Sequence, residues 1–258
     1  ITSSGLFTAR PAVGDYIAVD KTMDCADALD MANDMKKSGL DTYAAYLSGG
    51  DWTVYVKDAS VSAVEAAADE NASRVSFEGV AITGGEAPVL VPENAVMMGG
   101  NVADTFKLNS MPYRGMLTFS VNGSSMTGVN IIGLEEYLYG VVPSEMPKSY
   151  DAEALKAQAV AARTYAMTKL GAHTGSGYQL CDTTACQVYK GYSNEADATT
   201  AAVDATAGEV ACYNGSPIEA VFSASTGGYT ESSENVWNTA VPYLRAVPEP
   251  GEYGDNSW

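Results

Sequence analysis

The stretch DYIAVDKTMDCADALDMANDMKKSGLDTYAAYLSGGDWTVYVK (residues 15–57) decides the fold of the first part of the chain. DYIAVD sets Tyr16, Ala18 and Asp20 on one side and Ile17 and Val19 on the other, the period-two pattern of a strand. CADALDMANDMKKSG then places Ala28, Met31, Ala32 and Met35 at helical spacing, with Asp24 as N-cap and Gly39 as stop. DTYAAYL and DWTVYVK read as strands joined by SGGD, a hairpin turn with two glycines. Further along, VSAVEAAADENA (61–72) returns to a helix capped by Ser60, and RVSFEGV (74–80) adds a strand. The order over roughly residues 15–80 is βαββαβ. That is the split βαβ arrangement: an antiparallel sheet with two helices on one face and the other face open to bind something.

Composition bounds what the rest can be. With 46% hydrophobic and 18% charged residues, the 258-residue chain has enough apolar material for a true core. No run approaches membrane-spanning length. The start, ITSSGLFTARPAVGDY, lacks the basic and apolar regions of a signal peptide, so it reads as a mature or trimmed N-terminus. The net charge of −18 is shared evenly, −9 over residues 1–100 and −9 over 101–258. No basic face is present to neutralise phosphates, which argues against a nucleic-acid partner. Four cysteines and one histidine are too few for a disulfide scaffold.

GGEAPVLVPENAVMMGGN (84–101) is rich in Gly, Pro and turn residues and suggests a boundary. The division read from sequence is 1–84, a linker or domain start at 85–109, and 110–258. YRGMLTFSVNGSSMTGVNIIG (113–133) reads as a hairpin turning near Asn122-Gly123. It runs into LEEYLYGV, where Leu134, Tyr137, Leu138 and Val141 form one apolar helical face that Gly140 should end. The turn between Pro143 and Pro147 then carries a lone acid, Glu145. Asp151 caps a helix from about Ala152 to Leu170, with a small-residue stripe of Leu155, Ala159, Ala162 and Ala166.

Glu145 is thus placed on a stiff turn between two packed elements. This suits a general acid, since a carboxyl fixed in a partly apolar cleft holds its proton nearer to neutral pH. Glu135, Glu136, Asp151 and Glu153 are the other acids nearby. Arg163, deep in an alanine-rich helix, either anchors a carboxylate or contacts substrate, and Gln158 faces the same choice. SASTGGYTESS (223–233), after an expected strand IEAVF, offers hydroxyls and the flexible pair Gly227-Gly228. The pattern argues against a serine hydrolase. His173 is the sole histidine, and no glycine-flanked nucleophile elbow occurs.

YRGML, GLEEYLYGVVPSEMP, EALKAQAVAARTYAM, LCDTTACQVYKGY and FSASTGGYTESSENVWNTAVPYL occur in this order. Together they closely resemble the stage II sporulation protein D family, also called the SpoIID/LytB amidase-enhancer domain, from about residue 110 to 247. The segment MKKSGLDTYAAYL followed by WTVYVKDASVSAVEAA resembles the sporulation-related repeat (SPOR) family, whose members bind peptide-stripped peptidoglycan strands. The implied fold is α+β: a small βαββαβ N-terminal domain, then a mixed α/β SpoIID-type catalytic domain.

The resemblance implies a peptidoglycan lytic transglycosylase with Glu145 as catalytic acid. It places Arg163, Gln187, Tyr189, Ser223, Ser225, Gly227 and Gly228 as candidate substrate contacts. The implied partners are glycan strands and a cell-wall amidase or other cell-wall protein, the location is extracytoplasmic, and any signal or anchor lies outside this sequence. A non-catalytic glycan-binding or amidase-enhancing protein is the rival reading. The chemistry needs no cofactor. Some family members bind zinc through cysteines and histidines in the HTGSGYQLCDTTACQVY region (173–189), one histidine directly preceding the second cysteine. That position is Ala185 here, so His173, Cys181 and Cys186 offer at most three ligands where a structural zinc takes four. Structural zinc, a Cys181–Cys186 disulfide and free thiols remain open alternatives.

Overall fold

The computed structural model describes residues 8–84, 87–98, 105–108 and 110–249. It is a mixed α+β chain that divides into two compact units. The first runs through Tyr137 and includes Gly191–Asn194; the second holds Leu138–Lys190 and the residues from Glu195 onward.

The first unit begins with β1 (Thr8–Val19), α1 (Cys25–Lys37), β2 (Asp41–Ser48), β3 (Asp51–Lys57), α2 (Val61–Ala68) and β4 (Ala72–Thr83). This is the element order read from the sequence, and its local causes are visible. Asp24 caps α1 by accepting the Asp27 N–H at 2.9 Å, and Ser60 caps α2 through the Ala63 N–H at 3.2 Å. Gly49 and Gly50 both take positive φ (61° and 101°), the two-residue turn that suits the right-handed twist of β2 and β3.

The sheet, however, has no open face. A fifth strand, β5 (Val89–Pro92), pairs parallel to β2 and antiparallel to β4, closing a barrel in the order β1-β3-β2-β5-β4. The side expected to be free for a ligand becomes the barrel interior. Tyr16, Tyr43, Ala45, Phe77, Ala81 and Leu90 cluster there with Tyr55, and the Tyr16 and Phe77 rings meet edge-on at 5.9 Å. Ile17, Val19, Val54 and Val56 point the other way, under Ala28, Ala32 and Met35 of α1 and Val64 of α2.

β6 (Met97–Met98), β7 (Phe106–Leu108), β8 (Met111–Tyr113), β9 (Met116–Asn122) and β10 (Ser125–Ile131) follow. β9 and β10 form the predicted hairpin, β6 joins the β9 edge, and β7 pairs with β8. Phe106, Leu117, Phe119 and Val121 pack on Val80, Ile82, Val89 and Val91 of the barrel wall. This shared core holds the segment from β5 to β10 in the first unit. The compact division accordingly falls after Tyr137, later than the Gly- and Pro-rich 85–109 stretch suggests.

α3 (Leu134–Glu145) crosses the division, followed by α4 (Ala152–Lys169), α5 (Asp197–Ala205), β11 (Cys212–Tyr213), β12 (Ser216–Pro217) and α6 (Ser233–Trp237). α4 is capped by Asp151, which accepts the Glu153 N–H at 2.9 Å. Its small-residue stripe of Leu155, Ala159, Ala162 and Ala166 is buried, and α4 packs against α5. The segment IEAVF is not a strand, and Val221 and Phe222 stand exposed. Among the described residues, no helix is long and apolar enough to cross a membrane.

Candidate functional site

Glu145 is the last residue of α3, not part of a separate proline turn. The helix runs through Gly140 and Pro143, both of which ordinarily end helices. Burial overrides that local cost, because Leu138, Val141 and Val142 are fully buried. The last turn closes through Met146 N–H to Val142 O at 2.9 Å, and the Ser144 hydroxyl donates to Gly140 O at 2.7 Å. The acid therefore rides on a rigid element.

Half-buried at that helix end, Glu145 accepts the Val188 backbone N–H on Oε1 at 2.7 Å. Its Oε2 has no hydrogen bond to a described residue, so one oxygen is anchored and the other is available. Two of the nearby acids have other work. Asp151 caps α4, and Glu153 forms an ion pair with Lys156 at 2.8 Å.

Gln187, beside Val188, is only 1% exposed and donates from Nε2 to Ala162 O of α4 at 3.2 Å. It pins the segment to the helix and does not present an exposed amide to a sugar. Tyr189 is half-buried, and its N–H bonds Asp182 O at 3.2 Å.

Arg163, also 1% exposed, sits at the C-terminal end of α5. Its guanidinium donates to Val203 O at 3.2 Å and to Glu209 O at 3.1 Å, with the Thr206 hydroxyl at 3.5 Å. Those carbonyls belong to the negative end of α5 and the turn beyond, where a buried cation is well placed. Arg163 thus has an anchoring role at a helix end. Gln158 is buried on α4 with Nε2 lacking a partner among the described residues.

The 223–228 loop is polar, with Ser223, Ala224 and Gly227 exposed and the other three residues half-buried. Ser223 donates to Ser225 O at 3.1 Å, Ser225 Oγ accepts the Gly227 N–H at 3.2 Å, and Gly227 and Gly228 take φ of 68° and 97°. These glycines satisfy a turn that L-residues rarely adopt.

His173, Cys181 and Cys186 do come together. Their donor atoms all lie within 4.8 Å of one another, with His173 Nε2 3.2 Å from Cys186 Sγ. Tyr178 stacks on the imidazole with ring centroids 5.0 Å apart. All four cysteines are free thiols, so the disulfide alternative is not formed. The Thr183 hydroxyl beside Cys181 holds that thiol below the ordinary range, whereas burial pushes the Cys186 thiol up. Two thiols and an imidazole at this spacing suit a borderline-soft ion such as zinc, whose ligands sit about 2.0–2.3 Å from the metal. The donor set fits with three protein ligands.

Sequence reasoning missed the Val188 N–H. A backbone donor leaves no side-chain signature, and only the resemblance of CQVY to a family motif pointed toward that segment.

The model of the Stage II sporulation protein (SpoIID) family matches residues 122–213. An amidase enhancer of Bacillus subtilis is 55% identical over 109 residues, covering 42% of this chain and 14% of that protein. The stage II sporulation protein D of the same organism is 41% identical over 137 residues, 47% of this chain and 40% of the relative. An uncharacterized protein of Brachyspira hyodysenteriae is 44% identical over 145 residues, 56% of this chain and 39% of its own. The matched part thus spans about two fifths of two of these relatives and far less of the amidase enhancer. Glu145, Arg163, Gln187 and the His/Cys cluster all lie inside residues 122–213, and that segment is similar to the SpoIID family of stage II sporulation proteins.

Proposed function

We propose that this protein is a peptidoglycan lytic transglycosylase that uses Glu145 as its single acid/base. The observation that carries the reading is the Glu145–Val188 bond, which fixes one carboxyl oxygen and leaves Oε2 to carry the proton. Ordinary glycosidases pair two carboxyl groups because one must activate water or act as nucleophile. A lytic transglycosylase needs no water. Glu145 Oε2 donates its proton to the oxygen that links N-acetylmuramic acid C1 to the next sugar, and the C1–O bond breaks. The muramic 6-hydroxyl attacks C1, closing a 1,6-anhydro ring, and its proton returns to Glu145. The acid is regenerated with no net proton change. Because the nucleophile belongs to the substrate, proximity supplies much of the rate.

The same reading places the protein outside the cytoplasmic membrane, where its glycan substrate lies, acting on strands stripped of stem peptides. Zinc held by His173, Cys181 and Cys186 would cross-link the 173–186 loop and serve structure, with no part in glycan cleavage. Ser223, Ser225, Gly227, Gly228 and Tyr189 remain the proposed sugar contacts.

A second reading is supported by the similarity to the Bacillus subtilis amidase enhancer. In it the protein binds glycan and assists a cell-wall amidase without turnover. Mass spectrometry of products from peptide-free glycan strands separates the two. Anhydro-muramic ends from the wild type and none from Glu145→Gln support the transglycosylase. Retained binding with no product supports the binder, and reducing ends would mean hydrolysis.

A further inference from the structure

We propose that metal occupancy at the His173/Cys181/Cys186 cluster and the placement of the Glu145 carboxylate are coupled through three consecutive residues, Cys186, Gln187 and Val188. The coupling rests on reading the cluster as a metal site; it does not require glycan cleavage.

Each residue of the run is held by something different. Cys186 turns its sulfur into the donor cluster, 3.2 Å from His173 Nε2. Gln187 is buried and bonded to Ala162 O, so the middle of the run cannot swing away from α4. Val188 gives its N–H to Glu145. The loop before them folds back on the same run: Thr183 O accepts the Cys186 N–H at 3.1 Å, and Asp182 O accepts the Tyr189 N–H at 3.2 Å. Consecutive Cα atoms lie about 3.8 Å apart across a trans peptide, so the run has little slack. Where Cys186 sits therefore helps decide where the Val188 N–H points.

An ion held by the three side chains fixes the Cys186 sulfur and, through the run, the Val188 donor. By linkage the effect is reciprocal: whatever holds Val188 in place also strengthens metal binding by the same factor. Val188 is then a positioning residue for Glu145, and the cluster sets its position. With three candidate donors among the described residues, the site has fewer internal restraints than a four-ligand one and depends more on this outside support.

The test is zinc affinity, measured by competition with a chromophoric chelator, in wild type, Glu145→Ala and Glu145→Gln. The glutamine amide oxygen accepts the same N–H, whereas alanine has no acceptor. The expected result is a zinc dissociation constant about 5–10-fold weaker in Glu145→Ala, the lower part of the usual coupling range, with Glu145→Gln within about twofold of wild type. Equal affinity in all three proteins overturns the coupling. Equal weakening in both variants assigns the effect to lost charge and also overturns it. Absence of zinc uptake by wild type removes the metal reading and the coupling together, and leaves the transglycosylase reading standing. Should Glu145→Ala fail to fold, hydrogen exchange at the Val188 amide of wild type decides. Zinc should slow it several-fold, and an unchanged rate overturns the proposal.

Discussion

Glu145 and Val188 stand 43 positions apart in the chain, yet the carboxylate of one accepts the backbone N–H of the other at 2.7 Å. The bond joins the end of α3 to a segment that Gln187 fastens onto α4. The general acid proposed above needs a fixed position more than a particular neighbour, and this arrangement holds Glu145 from both sides.

Shortening the acid should therefore cost rate without costing structure. Glu145→Asp withdraws the carboxyl by roughly one methylene, and misplacement on the order of 1 Å costs about 100-fold in rate. Anhydro-sugar release from peptide-free strands should fall by about that factor while strand pull-down persists. Undiminished release would show that another group carries the proton.

Arg163 should matter for stability. Arg163→Met leaves the Val203 and Glu209 carbonyls without their charged donor, at a cost of about 2–3 kcal/mol. Arg163→Lys should recover only part, since an ammonium cannot reproduce the guanidinium fork. Urea midpoints measure both. A Met variant as stable as wild type would remove the helix-end role.

Gly79 lies in the barrel wall where no side chain fits. An added Cβ would come within 2.2 Å of Val91 O and 2.7 Å of the Phe77 ring. Gly79→Ala should destabilise the first unit by about 1–3 kcal/mol, as overpacking generally does. Trimming Phe77 to Leu in addition should not restore it, because the closer clash is with backbone. Thermal melts of the three variants check this.

Alkali should open the barrel. Burial raises Tyr16, Tyr43 and Tyr55 above the ordinary 10.0. The unfolded chain then releases these protons first, so their contribution is complete below pH 10 and is lost as pH rises through the folded values. Phenolate absorbance should show a late, cooperative phase coinciding with loss of tertiary signal. Simple titration of all tyrosines near pH 10 would contradict the buried cluster.

Zinc content should follow the donor set. Cys181→Ser should abolish stoichiometric zinc, whereas Cys25→Ser and Cys212→Ser should keep it, both lying outside the cluster. Elemental analysis of the purified variants decides it.

Much of the local structure was legible. The Asp24, Ser60 and Asp151 caps, the Gly49-Gly50 turn and the buried stripe of α4 depend on a few adjacent residues, and a short window contains their whole cause. Gly140 and Pro143 misled for the opposite reason. Their cost is local, but Leu138, Val141 and Val142 offset it by being fully buried, which is a tertiary effect. IEAVF has the composition of a strand, yet it finds no strand partner to pair with among the described residues.

By itself the sequence determined the βαββαβ element order of the first part, the presence of an acid at residue 145 and the motif pattern around it. Tertiary structure alone decided that β5 closes the sheet over the face expected to be open. It also decided that Arg163 serves a helix end and that Val188 holds Glu145. A cap is settled by the residue beside it, whereas strand closure and a backbone donor's partner are settled by where remote elements pack, and no run of adjacent residues encodes that.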